Sequence, residues 1–285
     1  GLRIPANYGD RLLGGEQATA QVLIDGSDSQ VATTALQAAR LLGIQFSRRI
    51  GFAFAEARSI APARDAAGDA AMAVDVRTRL LFNPDLESAR FFVPGLVGII
   101  LQVVLLFLTS FAVVRERELG TLEQLFVTPV GRAGLILGKL LPYALVGALE
   151  SLLVLSVMVF LFAVPIHGDL LLLLSLTVVF LLAALGLGLL VSTLAKTQLQ
   201  AMQLAFLIML PSVLLSGFMF PRDEMPELIR WISCAFPVTW FIEILRGVVL
   251  RGADLADVAP AARNLAVCCA VILSLGMARF RKQLA

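Results

Sequence analysis

Long apolar runs constrain the fold of this 285-residue chain more strongly than any other feature of its sequence. A helix needs about 20 consecutive, largely apolar residues to cross the hydrocarbon core of a bilayer. Five segments meet this requirement, the last only with its flanks: residues 91–114, 135–164, 170–194, 199–220 and 265–277. The sequence therefore predicts an α-helical integral membrane protein with five transmembrane helices.

The composition supports this class and argues against others. Hydrophobic side chains make up 59% of the chain and charged ones only 15%, which is unlike a soluble globular domain. The net charge of +2, without a basic run interleaved with aromatic residues, argues against nucleic-acid binding. His167 is the only histidine, and Cys234, Cys268 and Cys269 lack the spacing of a metal site or a disulfide.

Residues 1–90 differ from the rest of the chain because they contain no apolar run long enough to span a bilayer. Residues 22–24 predict a strand, residues 31–42 predict a helix, and alternating apolar and polar residues over 72–82 predict a second strand. We therefore expect a small α/β domain over residues 1–90, followed by a transmembrane domain over residues 91–285.

Basic residues in the short loops predict which side of the membrane is cytoplasmic, because such loops carry an excess of Lys and Arg. They follow the first span, the third span and the last: Arg115, Arg117, Arg132, Lys139, Lys196, Arg279, Arg281 and Lys282. The longer stretch over 221–263 on the other side also carries arginines, but long connections obey the rule less well. This orientation makes residues 1–90 extracytoplasmic. Since no signal peptide precedes them, we expect a first span upstream in the parent chain, giving six.

Residues 115–129 form an amphipathic segment between the first two predicted spans. As a helix, the segment places Leu119 and Leu122 on one face and Glu116 and Glu123 on another. Periodicity alone is compatible with a helix that anchors the loop at the lipid surface and with one that docks on a partner.

The segment has the pattern E-R-E-x-G-T-x-E-Q-L-x-x-T-P, which closely resembles the signature of type-2 ABC transporter permeases of the drug and multidrug exporter branch. Motifs similar to that family follow in order along nearly the whole chain: residues 4–5, 9–13, 25–27, 83–84, 91–95, 138–139, 215–221, 225–226, 236–239 and 246–247. The resemblance implies the permease subunit of an ABC exporter in the cell inner (cytoplasmic) membrane. The implied activity is export of an amphipathic, drug-like or lipidic substrate from the cytoplasm or inner leaflet by alternating access.

The resemblance also implies that residues 115–129 are a coupling helix, which docks on a separate ATPase. The coupling residues carried over to this chain are Glu116, Glu118, Gly120, Thr121, Glu123 and Gln124. The nearest approach to a Walker loop, Gly138-Lys139, has Leu140 where Ser or Thr is required. ATP and Mg are therefore expected on the partner ATPase, with no cofactor on this chain. The other implied partners are a second permease subunit in a homo- or heterodimer, a periplasmic adaptor and membrane lipids.

Two polar residues within the spans are candidates for the substrate pathway. Glu150 lies well inside the second span, where a carboxylate costs a few kcal/mol unless it faces protein or water. Gln102 in the first span is the second candidate, although an amide there often serves only as a hydrogen-bonding contact between helices.

Residues 215–251 alternate apolar clusters with Pro221, Pro226 and Pro237. Irregular backbone at membrane depth persists only where protein shields it or where it lines a cavity. We therefore predict a re-entrant helical hairpin that closes the extracytoplasmic end of the pathway. Its predicted gate residues are Phe218, Phe220, Pro221 and Trp240. The tryptophans have an alternative place in the interfacial aromatic belt.

Three other classes of protein compete with a permease. A membrane receptor with an extracytoplasmic ligand-binding domain needs a cytoplasmic output domain, and only residues 279–285 follow the last span. An ion-coupled secondary transporter predicts several buried carboxylates and an internal repeat, whereas Glu150 stands nearly alone. A membrane enzyme is disfavoured because the spans offer no set of nucleophile, base and acid.

Overall fold

The structure is a computed structural model that describes residues 1–27, 29–58, 63–65, 67, 69, 71–120 and 132–282. The chain divides into two units, Gly1–Phe91 and Phe92–Ala285. The first unit contains β1 (Leu2–Arg3), α1 (Tyr8–Leu13), β2 (Ala18–Asp25), α2 (Ser29–Arg58) and β3 (Val74–Leu81). β1 pairs antiparallel with β2, and β2 pairs in parallel with β3. Parallel neighbours need a crossover connection, which α2 provides.

α2 lies against β3 through a close approach and a buried hydroxyl. A Cβ at Gly43 would come within 2.7 Å of Val76 Cγ2, so glycine allows the two elements to approach. Ser47 Oγ donates to Val74 O at 2.9 Å and accepts from Val74 N at 3.1 Å. These long-range contacts lie beyond residue 42, where the sequence predicted the helix to end, and tertiary packing therefore supports its longer course.

The second unit is built from helices. They are α3 (Ser88–Glu118), α4 (Arg132–Phe160), α5 (Leu170–Leu194), α6 (Gln198–Leu215), α7 (Glu227–Ser233), α8 (Pro237–Arg251) and α9 (Leu255–Lys282). Five stretches are long and apolar enough to cross a membrane: Ser88–Glu118, Gly138–Phe160, Leu170–Leu194, Gln198–Leu215 and Leu255–Arg279. The prediction of five helices long and apolar enough to span a membrane is confirmed. The fourth helix ends before residue 220, and the last extends well beyond residues 265–277.

α7 and α8 form a bent pair within the segment predicted as a hairpin. Their axes meet at 89°, so the pair is a broken sixth span or a re-entrant loop by length and composition. Pro237 is the first residue of α8, where its missing N–H leaves no helical hydrogen bond unmade. Gly252 ends α8 with a φ of +62°, a left-handed conformation that favours glycine.

α5 forms the centre of the second unit. Its apolar side chains cluster with those of α3, α6 and α9: Leu106, Val114, Leu187, Val191, Ala201, Ala205 and Ile272. Towards the other end of α5, Phe180 stacks on Phe241 of α8 with ring centroids 4.0 Å apart. α4 and α6 bury few of their residues, as suits helices that face lipid or another protein within a bilayer.

Candidate functional site

The last turn of α3 is bound to the connection between α5 and α6. Arg117 Nη1 donates to the carbonyl oxygen of Ala195 at 2.8 Å. Ala195 is the C-cap of α5, where carbonyls lack helical partners and the helix dipole favours a cation. Glu118 accepts from the backbone N of Gln198 at 2.8 Å and from its Nε2 at 2.5 Å. Gln198 is the first residue of α6, where the dipole favours an anion.

Glu116 lies on the same turn of α3 and forms an ion pair with Lys139 of α4. We call these contacts the ERE junction: Glu116, Arg117 and Glu118 with their partners Lys139, Ala195 and Gln198. It joins the C-terminal ends of α3 and α5 to the N-terminal parts of α4 and α6. Two predicted coupling residues, Glu116 and Glu118, thus have partners within the chain, and their role in coupling stays a prediction.

The helix predicted over residues 115–129 does not begin at residue 115. Residues 115–118 belong to α3, and Gly120 N donates to Arg117 O at 3.2 Å as the helix ends. Gly120 has a φ of +70°, the left-handed conformation that terminates many helices. The prediction of one continuous helix is therefore wrong at its start. The other predicted coupling residues lie outside the described residues: Thr121, Glu123 and Gln124.

Glu150 lies near the middle of α4, about 16 Å along the helix axis from Lys139. Both of its carboxylate oxygens are buried, and neither has a hydrogen-bond partner among the described residues. One turn earlier, α4 touches α3, since a Cβ at Gly147 would lie 2.8 Å from Leu105 Cδ2. A carboxylate in this environment costs free energy unless it is protonated or meets a cation.

Gln102 lies on α3 at the depth of Glu150 on α4. The ion pair of the ERE junction and the approach of Leu105 to Gly147 show that the two helices run antiparallel. One turn onward from that approach, away from the junction, lie Gln102 on α3 and Glu150 on α4. The Gln102 side chain is buried, and its Oε1 has no hydrogen-bond partner among the described residues. The structure thus brings the two predicted pathway residues to one depth on adjacent helices.

Arg246 of α8 holds the segment that follows α6. Its Nη1 donates to Gly217 O at 2.9 Å and its Nη2 donates to Phe218 O at 3.3 Å. Gly217 has a φ of +83°, so the chain turns sharply at a residue without a Cβ. The Phe218 ring meets Phe92 edge-on, with centroids 6.0 Å apart. Phe218, a predicted gate residue, is therefore fixed beside α3 by its ring and beside α8 by its backbone.

Arg222 holds a second predicted gate residue, Trp240. The Arg222 guanidinium carbon lies 4.6 Å from the centroid of the indole ring, in a cation–π contact, and Nη1 lies 3.1 Å from Glu243 Oε2. Trp240 Nε1 donates to Cys234 O at 3.1 Å, so the indole is fixed within the bent pair. The other two predicted gate residues lie in the turn before Arg222: Pro221 is partly buried and Phe220 is exposed.

Sequence reasoning missed the two arginines of this segment as structural residues. Arg222 entered it only as a positive charge in a long connection, and Arg246 only as such a charge and as part of the family-like motif at residues 246–247. Neither belongs to a local pattern with its partners. Their partners lie 21 and 29 residues away along the chain. A basic residue beside several prolines and aromatic residues was the only signal available, and it does not identify a partner.

Comparison with known proteins identifies relatives of this chain. A family model described as "ABC-2 family transporter protein" matches residues 1–278. The probable multidrug ABC transporter permease YbhS of Escherichia coli is 44% identical over 180 residues, which are 63% of this chain and 48% of that protein. The probable multidrug ABC transporter permease YbhR of Escherichia coli is 29% identical over 282 residues, covering 99% of this chain and 73% of YbhR. The inner membrane transport permease YhhJ of Escherichia coli is 31% identical over 285 residues, covering 99% of this chain and 72% of YhhJ. The match to YbhS thus spans about half of that relative's length.

Proposed function

The chain belongs to the ABC-2 family of transporter proteins, and from this premise we propose that it forms the permease subunit of an ATP-driven exporter. Two such subunits, identical or paralogous, enclose the pathway, and separate ATPase subunits bind ATP and Mg. The relatives YbhS and YbhR are named as probable multidrug ABC transporter permeases. Their names support an amphipathic, drug-like or lipidic substrate, exported from the cytoplasm or inner leaflet across the cell inner membrane.

The ERE junction is the observation that carries this proposal. It lies where residues 115–129, which resemble a coupling segment and which we call the docking segment, leave α3. Its charge-assisted hydrogen bonds and ion pair connect that point to α4, α5 and α6. A displacement of the segment by a docked ATPase therefore moves the ends of several spans together. In this arrangement Thr121, Glu123 and Gln124 contact the ATPase, whereas Glu116, Glu118 and Gly120 join the docking segment to the spans.

The bent pair of α7 and α8 supports a gate at the opposite, extracytoplasmic end. Arg246 ties the backbone of Phe218 to α8, and Arg222 ties Trp240 to the turn after Pro221. Each arginine makes only a few polar contacts at the edge of a helix, so the gate opens when these contacts break and α8 stays folded. Substrate passes Glu150 and Gln102 on its way to this gate as the two subunits alternate their access.

Reconstitution tests the proposed function and its alternatives. The full-length protein, purified with the ABC ATPase that associates with it, is placed in liposomes with an amphipathic fluorescent dye. We expect ATP-dependent dye movement and dye-stimulated ATP hydrolysis, both of which a substitution of the Walker lysine in the ATPase abolishes. Movement without the ATPase along an ion gradient would instead identify an ion-coupled transporter, and dye binding without movement would support a receptor.

Cysteine labelling tests the proposed orientation. In a variant whose three native cysteines are replaced by alanine, single cysteines replace the exposed residues Leu13, Leu119 and Leu161. We expect a membrane-impermeant maleimide to label positions 13 and 161 in intact cells and position 119 only after permeabilisation. Leu119 lies in the loop whose Arg and Lys residues predict the cytoplasmic side. The opposite labelling pattern would invert the topology and remove the argument for an ATPase at the ERE junction.

A further inference from the structure

Glu150 is the only charged residue within the apolar cores of the five stretches that are long enough to cross a membrane. Residues 91–114, 140–160, 170–194, 199–215 and 264–278 contain no other Asp or Glu and no Lys, Arg or His. An ionised carboxylate in such an environment needs a cation close to it, because solvation by hydrocarbon is negligible. None of these five stretches supplies a cation to Glu150.

Buried acceptor oxygens without hydrogen-bond partners among the described residues lie at one depth on α3 and α4. They are the two carboxylate oxygens of Glu150 and Oε1 of Gln102. The antiparallel course of α3 and α4 brings these acceptors to one depth, one turn beyond the approach of Leu105 to Gly147. Buried polar atoms without partners are uncommon in native proteins, so three such oxygens at one depth call for a hydrogen-bond donor.

We propose that Glu150 and Gln102 bind the protonated amine of an amphipathic substrate, with the apolar part of the substrate against α3 and α4. This inference rests on the proposed permease function and assigns the substrate class. The ammonium group supplies a positive charge to the Glu150 carboxylate and N–H donors to the unpartnered oxygens of both side chains. Unlike an ammonium group with N–H bonds, a quaternary ammonium group satisfies the charge of Glu150 but cannot donate to Gln102 Oε1.

The roles of the two side chains therefore separate by ligand. Glu150 selects for positive charge, so its neutralisation weakens the binding of every cationic ligand and spares neutral ones. Gln102 selects for an N–H donor, so its replacement by an apolar residue weakens binding of the amine and spares the quaternary analogue. A general role of either residue in packing would affect all ligands alike.

Three matched probes test this assignment: dansylcadaverine, its neutral N-acetyl derivative and its quaternary N-trimethyl derivative. Their binding to the full-length protein in lipid nanodiscs is measured by dansyl fluorescence without any ATPase. We expect wild-type protein to bind dansylcadaverine best. We expect Glu150→Gln to weaken both cationic probes about tenfold or more, since removing one member of a buried charged pair has a large effect. Gln102→Leu should weaken dansylcadaverine alone.

A matched control is Gln203→Leu, which removes an amide from an exposed position of another span, α6, and should change no affinity. Equal affinity of the wild type for the three probes, or unchanged binding by Glu150→Gln, would overturn the assignment. Selective amine binding without ATP-driven export would support the assigned site and refute the proposed exporter. Export of dansylcadaverine that is unaffected by Glu150→Gln would keep the exporter and refute the site.

Discussion

Replacing Glu118 by alanine in the full-length protein is expected to lower substrate-stimulated ATP hydrolysis about tenfold, the scale of a typical coupling free energy between sites. The permease should still fold and associate with its ATPase. Glu118 holds the N-terminus of α6 by accepting from the backbone N and the Nε2 of Gln198. Without this acceptor, a movement of the docking segment no longer reaches α6.

Three variants make this result specific to the ERE junction. Gln198→Ala removes one of the two contacts from the α6 side, and it should lower the stimulation in the same direction although Gln198 lies outside the docking segment. Glu118→Gln keeps an acceptor for the α6 backbone and should have an intermediate effect. Arg115→Ala removes an exposed charge from the same turn of α3 and should leave stimulation unchanged. Association and stimulation are measured by affinity co-purification and by phosphate release in liposomes.

Two outcomes would contradict the assigned role. Loss of ATPase association in Glu118→Ala, with normal behaviour of Gln198→Ala, would show that Glu118 contacts the ATPase directly. Undiminished stimulation in both variants would show that the junction does not transmit the movement of the docking segment.

Gly188→Leu is expected to prevent the second unit from folding. Gly188 lets α5 approach α3 closely, because a Cβ at this position would lie 2.6 Å from Thr109 Cβ and 3.1 Å from Leu106 O. Small residues of this kind are what allow helices to pack closely within a bilayer. Overpacking usually costs about 1–3 kcal/mol, and a leucine at this contact with backbone should exceed that range. The measurement is the monodisperse fraction of detergent-extracted protein and its thermal aggregation midpoint.

Gly138 provides the matched control on α4. A Cβ at Gly138 would meet nothing within 4 Å among the described residues, so Gly138→Leu should leave yield and aggregation midpoint unchanged. Gly188→Ala is expected to lower the aggregation midpoint. Combining it with Thr109→Gly should restore part of this loss, because it removes the side chain that lies nearest to the added Cβ. A normal midpoint for Gly188→Leu would mean that α3 and α5 separate without cost.

The docking segment shows how much of a site a sequence motif can predict. Its resemblance to a family signature predicted one group of partner-binding residues between Glu116 and Gln124. The structure divides that group, because α3 ends at Glu118 and Gly120 turns the chain. A glycine within an amphipathic pattern is compatible with a helix interior and with a helix end, and only its φ distinguishes the two.

The two predicted pathway residues show the same division. The sequence identified Glu150 and Gln102 separately, since a polar residue in an apolar run is visible without any partner. Their common depth depends on the register between α3 and α4. That register follows from the approach of Leu105 to Gly147 and from the ion pair of Glu116 with Lys139, which residue patterns on either helix do not encode.

The sequence by itself determined the five membrane-spanning helices and, through the motifs, the family. Crossing a bilayer requires apolar residues in a continuous run, so this property is local and remains visible in a linear chain. The tertiary structure alone decided which polar side chains meet. Arg117 and Ala195 are 78 residues apart, and Glu118 and Gln198 are 80 residues apart. Their contacts exist because close packing at positions such as Gly188 fixes the relative heights of the helices, and packing of this kind depends on the shapes of facing surfaces.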